Sequence, residues 1–320
     1  MKNKAIVILG PTASGKTSLA LNLAKHLKIE IISLDSALIY KDMDIGTAKP
    51  TKAELAAVPH HLIDIIDPKD SYSAASFRQD CIKLVDEICA RGATPVICGG
   101  TMLYYKALVD GLSPLPTTTK EVREKIAAKA LKEGWPSMHA RLKEIDEISY
   151  QKIKANDKQR ISRALEVYEM TGRAMSSFFT NPKNECPFDR YEFVLLPKDD
   201  DRTKLRKLIK ERFLQMLEQG LIDEVLALKN RGDLNLELPS MRCVGYRQVW
   251  EYLDGAYDKD KLIDLCVIAT AHLAKHQMTW LRGSLSNNQE AKLKLRLDIE
   301  NKEHNLALVL EALKGTFNFS

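Results

Sequence analysis

Short, continuously apolar runs alternate with helical patterns through the first third of the chain. A run that is apolar throughout is typical of a parallel strand buried on both faces, and apolar residues three or four positions apart are typical of a helix. Strands separated by helices predict an α/β fold with a parallel sheet. The predicted strands cover 5–9, 29–36, 62–68 and 94–100, and the helical patterns between them cover 18–27 and 74–92.

The pattern changes after 112–119, a linker-like stretch with the sequence LSPLPTTT. From 120 to 179 the chain has only helical segments rich in Lys, Arg and Glu, without an apolar run that indicates a strand. One further strand is predicted at 190–197, and the remainder is predicted to be helical. We therefore expect a core domain formed by 1–116 and 190–320, and an all-helical insertion domain at 117–189.

Composition narrows the possible functions only a little. The 320-residue chain is 45% hydrophobic, which is enough for a sizeable core, and it has a formal net charge of +5. Between 117 and 180 there are 13 Lys or Arg and 9 Asp or Glu, a net charge of +4. This mild basic excess fits a polyanionic partner bound by the insertion, although many proteins with such a charge bind none.

The cysteines and histidines argue against a zinc site. The six cysteines show no CxxC pair, so we expect reduced thiols in a cytoplasmic protein. His60 and His61 are adjacent, and adjacent residues rarely ligate one metal, so we expect structural roles for both. The apolar run near the first residue is only five residues long, too short for a signal peptide or a membrane span.

The segment GPTASGKT follows the first predicted strand and precedes the first predicted helix. In this context its glycines let successive backbone N–H groups point at a phosphate, which makes the core P-loop NTPase-like. Lys16 would reach a terminal phosphate, Thr17 would offer its hydroxyl to Mg²⁺, and the ligand is either a nucleotide or another diphosphate. The loop comprises Gly10, Pro11, Thr12, Ala13, Ser14, Gly15, Lys16 and Thr17.

A P-loop triphosphatase also needs an acidic residue at the end of a buried strand to hold Mg²⁺. The strand at 94–100 ends instead in Gly-Gly-Thr. Asp35 follows the second strand and is either a helix N-cap, a distant Mg²⁺ partner or a general base. Thr101 is either a helix cap or a hydroxyl directed at the reacting centre. Arg212 is either a further diphosphate contact or a solvated helix charge.

An ordered set of motifs resembles the tRNA dimethylallyltransferase family, also called tRNA isopentenyltransferases. The set extends over nearly the whole chain and is far more specific than the phosphate loop alone. The segments are GPTASGKT (10–17), DSALIY (35–40), MDIGTAKP (43–50), HHLIDIIDP (60–68), YSAASF (72–77), GGTMLY (99–104), NDKQRISRALEVYEMTG (156–172), MRCVGYRQVWEYL (241–253) and KHQMTWLR (275–282).

The resemblance implies an enzyme that transfers a dimethylallyl group from dimethylallyl diphosphate to N6 of adenosine 37. The acceptor is a tRNA that reads codons beginning with U, held by its anticodon stem-loop. The phosphate loop would then bind an allylic diphosphate with Mg²⁺, and Thr101 would lie near its bridging oxygen. Asp35 is our candidate for the base that takes the amine proton. We expect a monomer without a membrane partner.

The resemblance also implies a set of tRNA contacts. Arg160 and Arg163 lie three residues apart on one predicted helical face, which suits phosphate contacts, although charges on a helix are more often simply solvated. The family often has arginines where this chain has Ala271 and His276, so its grip there is expected to be weaker or pH-dependent. The full set is Asp35, Ser36, Ala37, Leu38, Thr101, Arg123, Gln159, Arg160, Ile161, Ser162, Arg163, Arg242, Cys243, Val244, Gly245, Tyr246, Arg247, Lys275, His276, Gln277, Met278, Thr279, Trp280, Leu281 and Arg282.

Two other functions share some of these features. A small-molecule or nucleoside kinase would have the same loop, sheet and helical lid, and from the loop alone it ranks first. A nucleotide-gated RNA-binding protein would have the loop and the basic insertion without catalysis. The ordered set of family motifs places the prenyltransferase ahead of both.

Overall fold

The described strands form a single six-stranded sheet with the order β3-β2-β4-β1-β5-β6, and every neighbouring pair is parallel. The structure is a computed structural model that describes residues 2–113, 115–179, 186–198, 203–286 and 291–317, without the side chains of 284–286. The strands are β1 (Lys4–Leu9), β2 (Ile29–Leu34), β3 (His60–His61), β4 (Thr94–Gly99), β5 (Asp189–Leu196) and β6 (Leu293–Asp298). The predicted parallel α/β core is confirmed.

Two compact units divide the chain. The first comprises Met1–Val109 and Cys186–Ser320, and the second comprises Asp110–Glu185, which begins and ends a few residues earlier than the predicted insertion. The helices of the first unit are α1 (Lys16–Leu23), α2 (Lys52–Ala57), α3 (Ala74–Ala90), α4 (Met102–Asp110), α9 (Thr203–Glu218), α10 (Leu221–Asn230), α11 (Tyr246–Leu253), α12 (Lys259–Ser286) and α13 (Lys302–Leu313).

The described part of the second unit is entirely helical, as predicted. It has its own apolar core, which includes the buried side chains of Met138, Leu142 and Ile161. The stretch predicted as a linker supplies the N-cap of its first helix, because the Thr119 hydroxyl accepts from the Val122 N–H. Its helices are α5 (Lys120–Glu133), α6 (Trp135–Ile145), α7 (Glu147–Lys152) and α8 (Lys158–Thr171), followed by a 3₁₀ turn at Met175–Phe178.

The central strand β1 explains why continuous apolar runs predicted the sheet. Ala5, Val7 and Leu9 pack into one apolar cluster, and Ile6 and Ile8 pack into another. Because successive side chains of a strand point to opposite faces, both faces of β1 are buried under helices. None of the helices in the described ranges has the length and apolar character that crossing a bilayer requires.

The strand predicted at 62–68 is wrong. Strand β3 ends at His61, and Leu62 and Asp64 have positive φ values of 61° and 55°, which turn the chain out of the extended conformation. The N–H groups of Ile65 and Ile66 then donate to the carbonyl of Ile39 in the loop after β2.

A second error lies near the end of the chain, where only helices were predicted. Strand β6 pairs with residues Tyr191–Leu196 of β5 and forms one edge of the sheet. Its charged residues Lys294 and Arg296 alternate with leucines, which is typical of an edge strand whose two faces differ in burial. The long helical pattern after 203 is also interrupted, since α9 and α10 are separate helices divided at Gly220.

The histidine pair is structural, as expected. The His61 ring nitrogen Nε2 lies 2.7 Å from Glu30 Oε2, and the His60 ring nitrogen Nδ1 lies 2.6 Å from the carbonyl oxygen of Val58. Arg91 also bonds to Glu30, and its guanidinium is the main cause that lowers the pKa of that carboxyl.

Candidate active site

The carboxyl ends of β1, β2 and β4 meet at one edge of the sheet, where parallel α/β folds bind their ligands. A cavity of about 570 Å³ opens there, and every residue that lines it belongs to the first unit. The lining comes from the phosphate loop, from the segments that follow β2 and β4, from the segment before α11, and from parts of α9 and α12. It includes Thr12, Ala13, Lys16, Thr17, Asp35, Ser36, Ala37, Leu38, Gly46, Thr47, Ala48, Gly99, Gly100, Thr101, Arg212, Arg242, Cys243, Val244, Gly245, His276, Gln277 and Trp280.

The phosphate loop has the backbone that its sequence predicts. Ala13 and Gly15 adopt positive φ values of 62° and 84°, and α1 begins at Lys16 directly after them. Gly10 is required by close packing, since a Cβ atom there would lie 2.5 Å from the Ser14 hydroxyl oxygen. That hydroxyl is buried and has no hydrogen-bond partner among the described residues.

Two cations and one carboxylate face each other at the cavity. Burial lowers the pKa of both Lys16 and Arg212, and the negative charge of Asp35 opposes that effect in each case. The Lys16 ammonium donates to the Pro11 carbonyl at 3.2 Å. Because burial disfavours their charged forms, both cations would be stabilised by an anion in the cavity. Arg212 is thus a half-buried wall residue and not a solvated helix charge.

Asp35 does not cap a helix, so that alternative is wrong. No helix begins directly after it, and its Oδ1 accepts a hydrogen bond from the Ala37 N–H at 2.8 Å. This contact within the loop after β2 holds the carboxylate at the cavity wall. The Asp35 residue remains partly exposed.

The Thr101 hydroxyl does not cap a helix either. Its oxygen accepts from the Ser36 N–H at 3.0 Å, and it donates to the Ser36 hydroxyl at 3.4 Å. The start of α4 is held by backbone bonds from Tyr104 and Tyr105 to the Thr101 carbonyl. Thr101 therefore connects the end of β4 to the loop that carries Asp35.

Sequence reasoning missed Glu224. This carboxylate on α10 accepts hydrogen bonds from the backbone N–H groups of Asp44, Ile45 and Gly46, and from the Tyr246 hydroxyl at 2.5 Å. Gly46 lines the cavity, and a Cβ there would lie 2.5 Å from the Tyr246 ring. Glu224 thus holds a wall of the cavity in place. A glutamate on an amphipathic helix carries no sequence signal of such a role.

Several residues predicted to contact tRNA are core residues. Tyr246, Met278 and Leu281 are at most 1% exposed and pack into the apolar clusters of the first unit, so their side chains are not accessible to RNA. Burial and the charge of Asp35 raise the pKa of Cys243 at the cavity wall to about 12, so its thiol stays neutral. The exposed members of the predicted set in this unit are Ser36, Arg242, Arg247, Lys275, His276, Thr279 and Trp280.

Some of these accessible residues have intramolecular partners. Arg242 forms an ion pair with Glu237 at 2.8 Å, and Arg247 forms one with Glu251 at 2.9 Å. Of the two departures from the family pattern, His276 lines the cavity, while Ala271 packs against an apolar cluster.

The predicted RNA contacts of α8 differ in their exposure and in their partners within the second unit. Arg163 donates to the Thr118 hydroxyl and the Pro116 carbonyl, so its guanidinium holds the segment before α5. Ile161 is fully buried, and the Ser162 hydroxyl donates to Glu166. Arg163 thus already has partners within its own unit, while its contact with a phosphate, like that of Arg160, stays a prediction. Arg123, Gln159 and Arg160 remain exposed.

Comparison with known proteins explains this combination of loop, sheet and cavity. A family model described as IPP transferase matches residues 38–284. The chain belongs to the IPP transferase family. The resemblance and the P-loop-like fold predicted from the sequence are thereby confirmed, and the protein is a transferase.

Solved structures agree with this assignment. The tRNA isopentenylpyrophosphate transferase of Bacillus halodurans is 33% identical, with a TM-score of 0.66 and 98% of this chain and 97% of that chain covered. The tRNA delta(2)-isopentenylpyrophosphate transferase of Staphylococcus epidermidis is 30% identical, with a TM-score of 0.65 and 98% and 99% covered. A eukaryotic dimethylallyltransferase acting on tRNA shares the fold at 24% identity, with a TM-score of 0.80 and 97% and 78% covered.

Proposed function

We propose that this IPP transferase family member transfers a dimethylallyl group from dimethylallyl diphosphate to N6 of adenosine 37. The acceptor is a tRNA that reads codons beginning with U, and the products are N6-(dimethylallyl)adenosine and diphosphate. The observation that carries the proposal is the convergence of an anion-binding loop and a carboxylate in one cavity. The names of the relatives, which specify tRNA and an isopentenyl or dimethylallyl group, support the same acceptor and donor.

The leaving group explains why the loop needs no strand-end carboxylate. As the allylic C–O bond breaks, its electron pair remains on the diphosphate, whose charge increases. The loop amides, the Lys16 ammonium and the Arg212 guanidinium belong to the same cavity and would stabilise that charge. Strand β4 ends at Gly99 and is followed by Gly100 and Thr101 without a carboxylate, which suits a reaction that transfers no phosphate.

Magnesium fits the residues present. Among the described residues, no three His, Cys, Asp or Glu side chains are gathered as a metal site. The Thr17 hydroxyl lies exposed at the cavity, and Mg²⁺ is usually bound by few protein oxygens together with phosphate oxygens and water. The Thr17 hydroxyl and the diphosphate would therefore hold Mg²⁺, which would supply charge stabilisation to the leaving group.

Asp35 is the proposed general base. An exocyclic adenine amine is a poor nucleophile because its lone pair is delocalised into the ring. As the N6–C1 bond forms and the C1–O bond breaks, the amine proton passes to the Asp35 carboxylate. The Thr101 hydroxyl is bonded to the N–H of Ser36, the residue that follows Asp35. It would also form a hydrogen bond with the bridging oxygen of the diphosphate.

The tRNA is proposed to reach the cavity through its anticodon stem-loop. The target adenosine must leave its stack, at a cost of about a few kcal/mol or less for a loop nucleotide. Contacts from the accessible residues of the first unit and from the basic second unit would offset that cost. The described cysteines are all free thiols, which supports action in the reducing cytoplasm, and we propose a monomer.

The test replaces Asp35 by Asn and by Ala. Both variants are expected to lose dimethylallyl transfer while tRNA and diphosphate affinities, measured separately, stay close to those of the unmodified enzyme. Near-normal turnover in either variant would exclude Asp35 as the base. A parallel incubation with labelled ATP tests the kinase alternative, which requires phosphate and not the prenyl group to move.

A further inference from the structure

Gln277 of α12 forms two hydrogen bonds that join separate parts of the site. Its Oε1 accepts from the backbone N–H of Thr12 in the phosphate loop at 2.9 Å, and its Nε2 donates to the carbonyl of Gly100 at 2.9 Å. One side-chain amide thus connects the loop after β1 with the loop after β4. Its partners lie 265 and 177 residues away in the sequence.

The packing at Gly100 shows how closely these parts fit. A Cβ atom on Gly100 would lie 2.6 Å from Gln277 Nε2 and 2.8 Å from the carbonyl oxygen of Gly10. Real Cβ atoms do not approach backbone oxygens this closely. The amide of Gln277 therefore occupies a space bounded by the phosphate loop on one side and the Gly100 backbone on the other.

We propose that Gln277 is a positioning residue for the diphosphate and not a tRNA contact. It binds the N–H of Thr12, the first N–H group after Gly10 in the phosphate loop because Pro11 has none. It also binds Gly100, the residue before Thr101, and so fixes the loop relative to the end of β4. The identity of the ligand as a diphosphate rests on the proposed function. The resemblance to the family implies that Gln277 is a tRNA contact, but its amide oxygen and one of its two N–H donors are bonded within the protein.

Only an amide side chain meets both demands at this position. The Thr12 N–H needs an acceptor and the Gly100 carbonyl needs a donor. A glutamate would keep the acceptor but place a second oxygen against the Gly100 carbonyl, while a leucine would supply neither. In both cases the loop loses a defined orientation, and its amides no longer converge on the bound phosphate.

Gln277 lies on α12, a helix that also supplies other residues to the wall of the cavity. His276 and Trp280, on the same helix, line the same cavity, and the indole of Trp280 is 48% exposed. The helix that would face the nucleotide is therefore bonded directly to the loop that would hold the leaving group. A change at Gln277 should lower diphosphate affinity and the rate of transfer, without removing a group that touches RNA.

The experiment compares Gln277→Glu and Gln277→Leu with matched changes of an exposed glutamine on α9, Gln215→Glu and Gln215→Leu. Calorimetry measures the affinity for inorganic diphosphate with Mg²⁺, and binding assays measure tRNA affinity without diphosphate. Steady-state kinetics separates KM for dimethylallyl diphosphate from kcat. Thermal unfolding identifies any variant that does not fold. If Gln277→Leu does not fold, the comparison relies on Gln277→Glu, which preserves the shape of the side chain.

We expect both Gln277 variants to bind diphosphate about tenfold or more weakly, which corresponds to one lost hydrogen bond and an unpaired partner. KM for dimethylallyl diphosphate should rise by a similar factor, tRNA affinity should change less than about twofold, and the Gln215 variants should behave like the parent enzyme. Weakened tRNA binding with unchanged diphosphate affinity would overturn the proposal, as would no change in either. If the parent enzyme binds diphosphate but transfers no prenyl group, the proposed function fails while this comparison stands.

Discussion

The Thr101 hydroxyl accepts a hydrogen bond from the Ser36 N–H at 3.0 Å and so joins the loops that follow β4 and β2. Asp35 immediately precedes Ser36, and its carboxylate accepts from the Ala37 N–H at 2.8 Å. These two hydrogen bonds hold Asp35 at the wall of the cavity. The position of the proposed base therefore depends on a hydroxyl from a different strand end.

Replacing Thr101 by valine removes this acceptor while preserving the shape of the side chain. The Ser36 N–H loses its partner and the proposed contact to the bridging oxygen is lost, so kcat should fall by roughly 10- to 100-fold. Thr101→Ser retains the hydroxyl and should stay within about threefold of the parent. Equal rates for the valine and serine variants would show that the hydroxyl has no part in the reaction.

Arg212→Gln removes one of the two half-buried cations at the cavity. Because burial already disfavours the charged guanidinium, its interaction with a bound anion occurs in a poorly solvated place and should be strong. We expect the affinity for inorganic diphosphate to fall about tenfold or more. Arg206→Gln, at an exposed position of the same helix, is the control and should change it little. Similar losses in both variants would indicate only a general effect of net charge.

Diphosphate affinity should decline at alkaline pH because burial lowers the pKa of Lys16. A bound anion raises that pKa again, so binding takes up a proton wherever free Lys16 is neutral, and affinity decreases as pH rises through the lowered pKa. The decline should begin below about 10.4, the ordinary value for lysine. Calorimetry in buffers of different ionisation enthalpy measures the proton uptake. In Lys16→Arg the decline should disappear, and its persistence there would assign the titration to another group.

Glu224→Gln should destabilise the protein, since an amide cannot accept from all of the donors that meet this carboxylate. We expect a loss of about 1–3 kcal/mol in the free energy of unfolding by urea. Tyr246→Phe removes one donor and should cost about 1 kcal/mol. An unchanged urea midpoint in Glu224→Gln would show that the cavity wall does not depend on this carboxylate.

The sequence predicted the elements whose patterns are local. The apolar runs of β1, β2, β4 and β5 predicted the parallel sheet because both faces of these strands are buried. The segment 62–68 has an equally apolar pattern, but Leu62 and Asp64 adopt left-handed conformations that only their tertiary surroundings impose. Strand β6 alternates leucines with charged residues, a pattern of period two that indicates a strand, although only helices were predicted there.

The residues of the site likewise divide into those with a local sequence signal and those without one. The phosphate loop and Asp35 could be identified because a motif and a strand end mark them in the sequence. Gln277 and Glu224 act through contacts with residues more than 170 positions away, which no local pattern reveals. The buried Tyr246, Met278 and Leu281 lie within motifs that also contain exposed residues. Predicting whole segments as tRNA contacts therefore included side chains that belong to the core.

The central claim is that the phosphate loop holds the leaving group of a prenyl transfer to tRNA. The most direct test incubates the enzyme and Mg²⁺ with dimethylallyl diphosphate carrying a label in the allyl group and with unmodified tRNA, then maps the labelled nucleotide. We predict label on N6 of adenosine 37, release of one diphosphate per label incorporated, and no incorporation with Asp35→Asn. Label at another nucleotide, or phosphate transfer from ATP without prenyl transfer, would contradict the account.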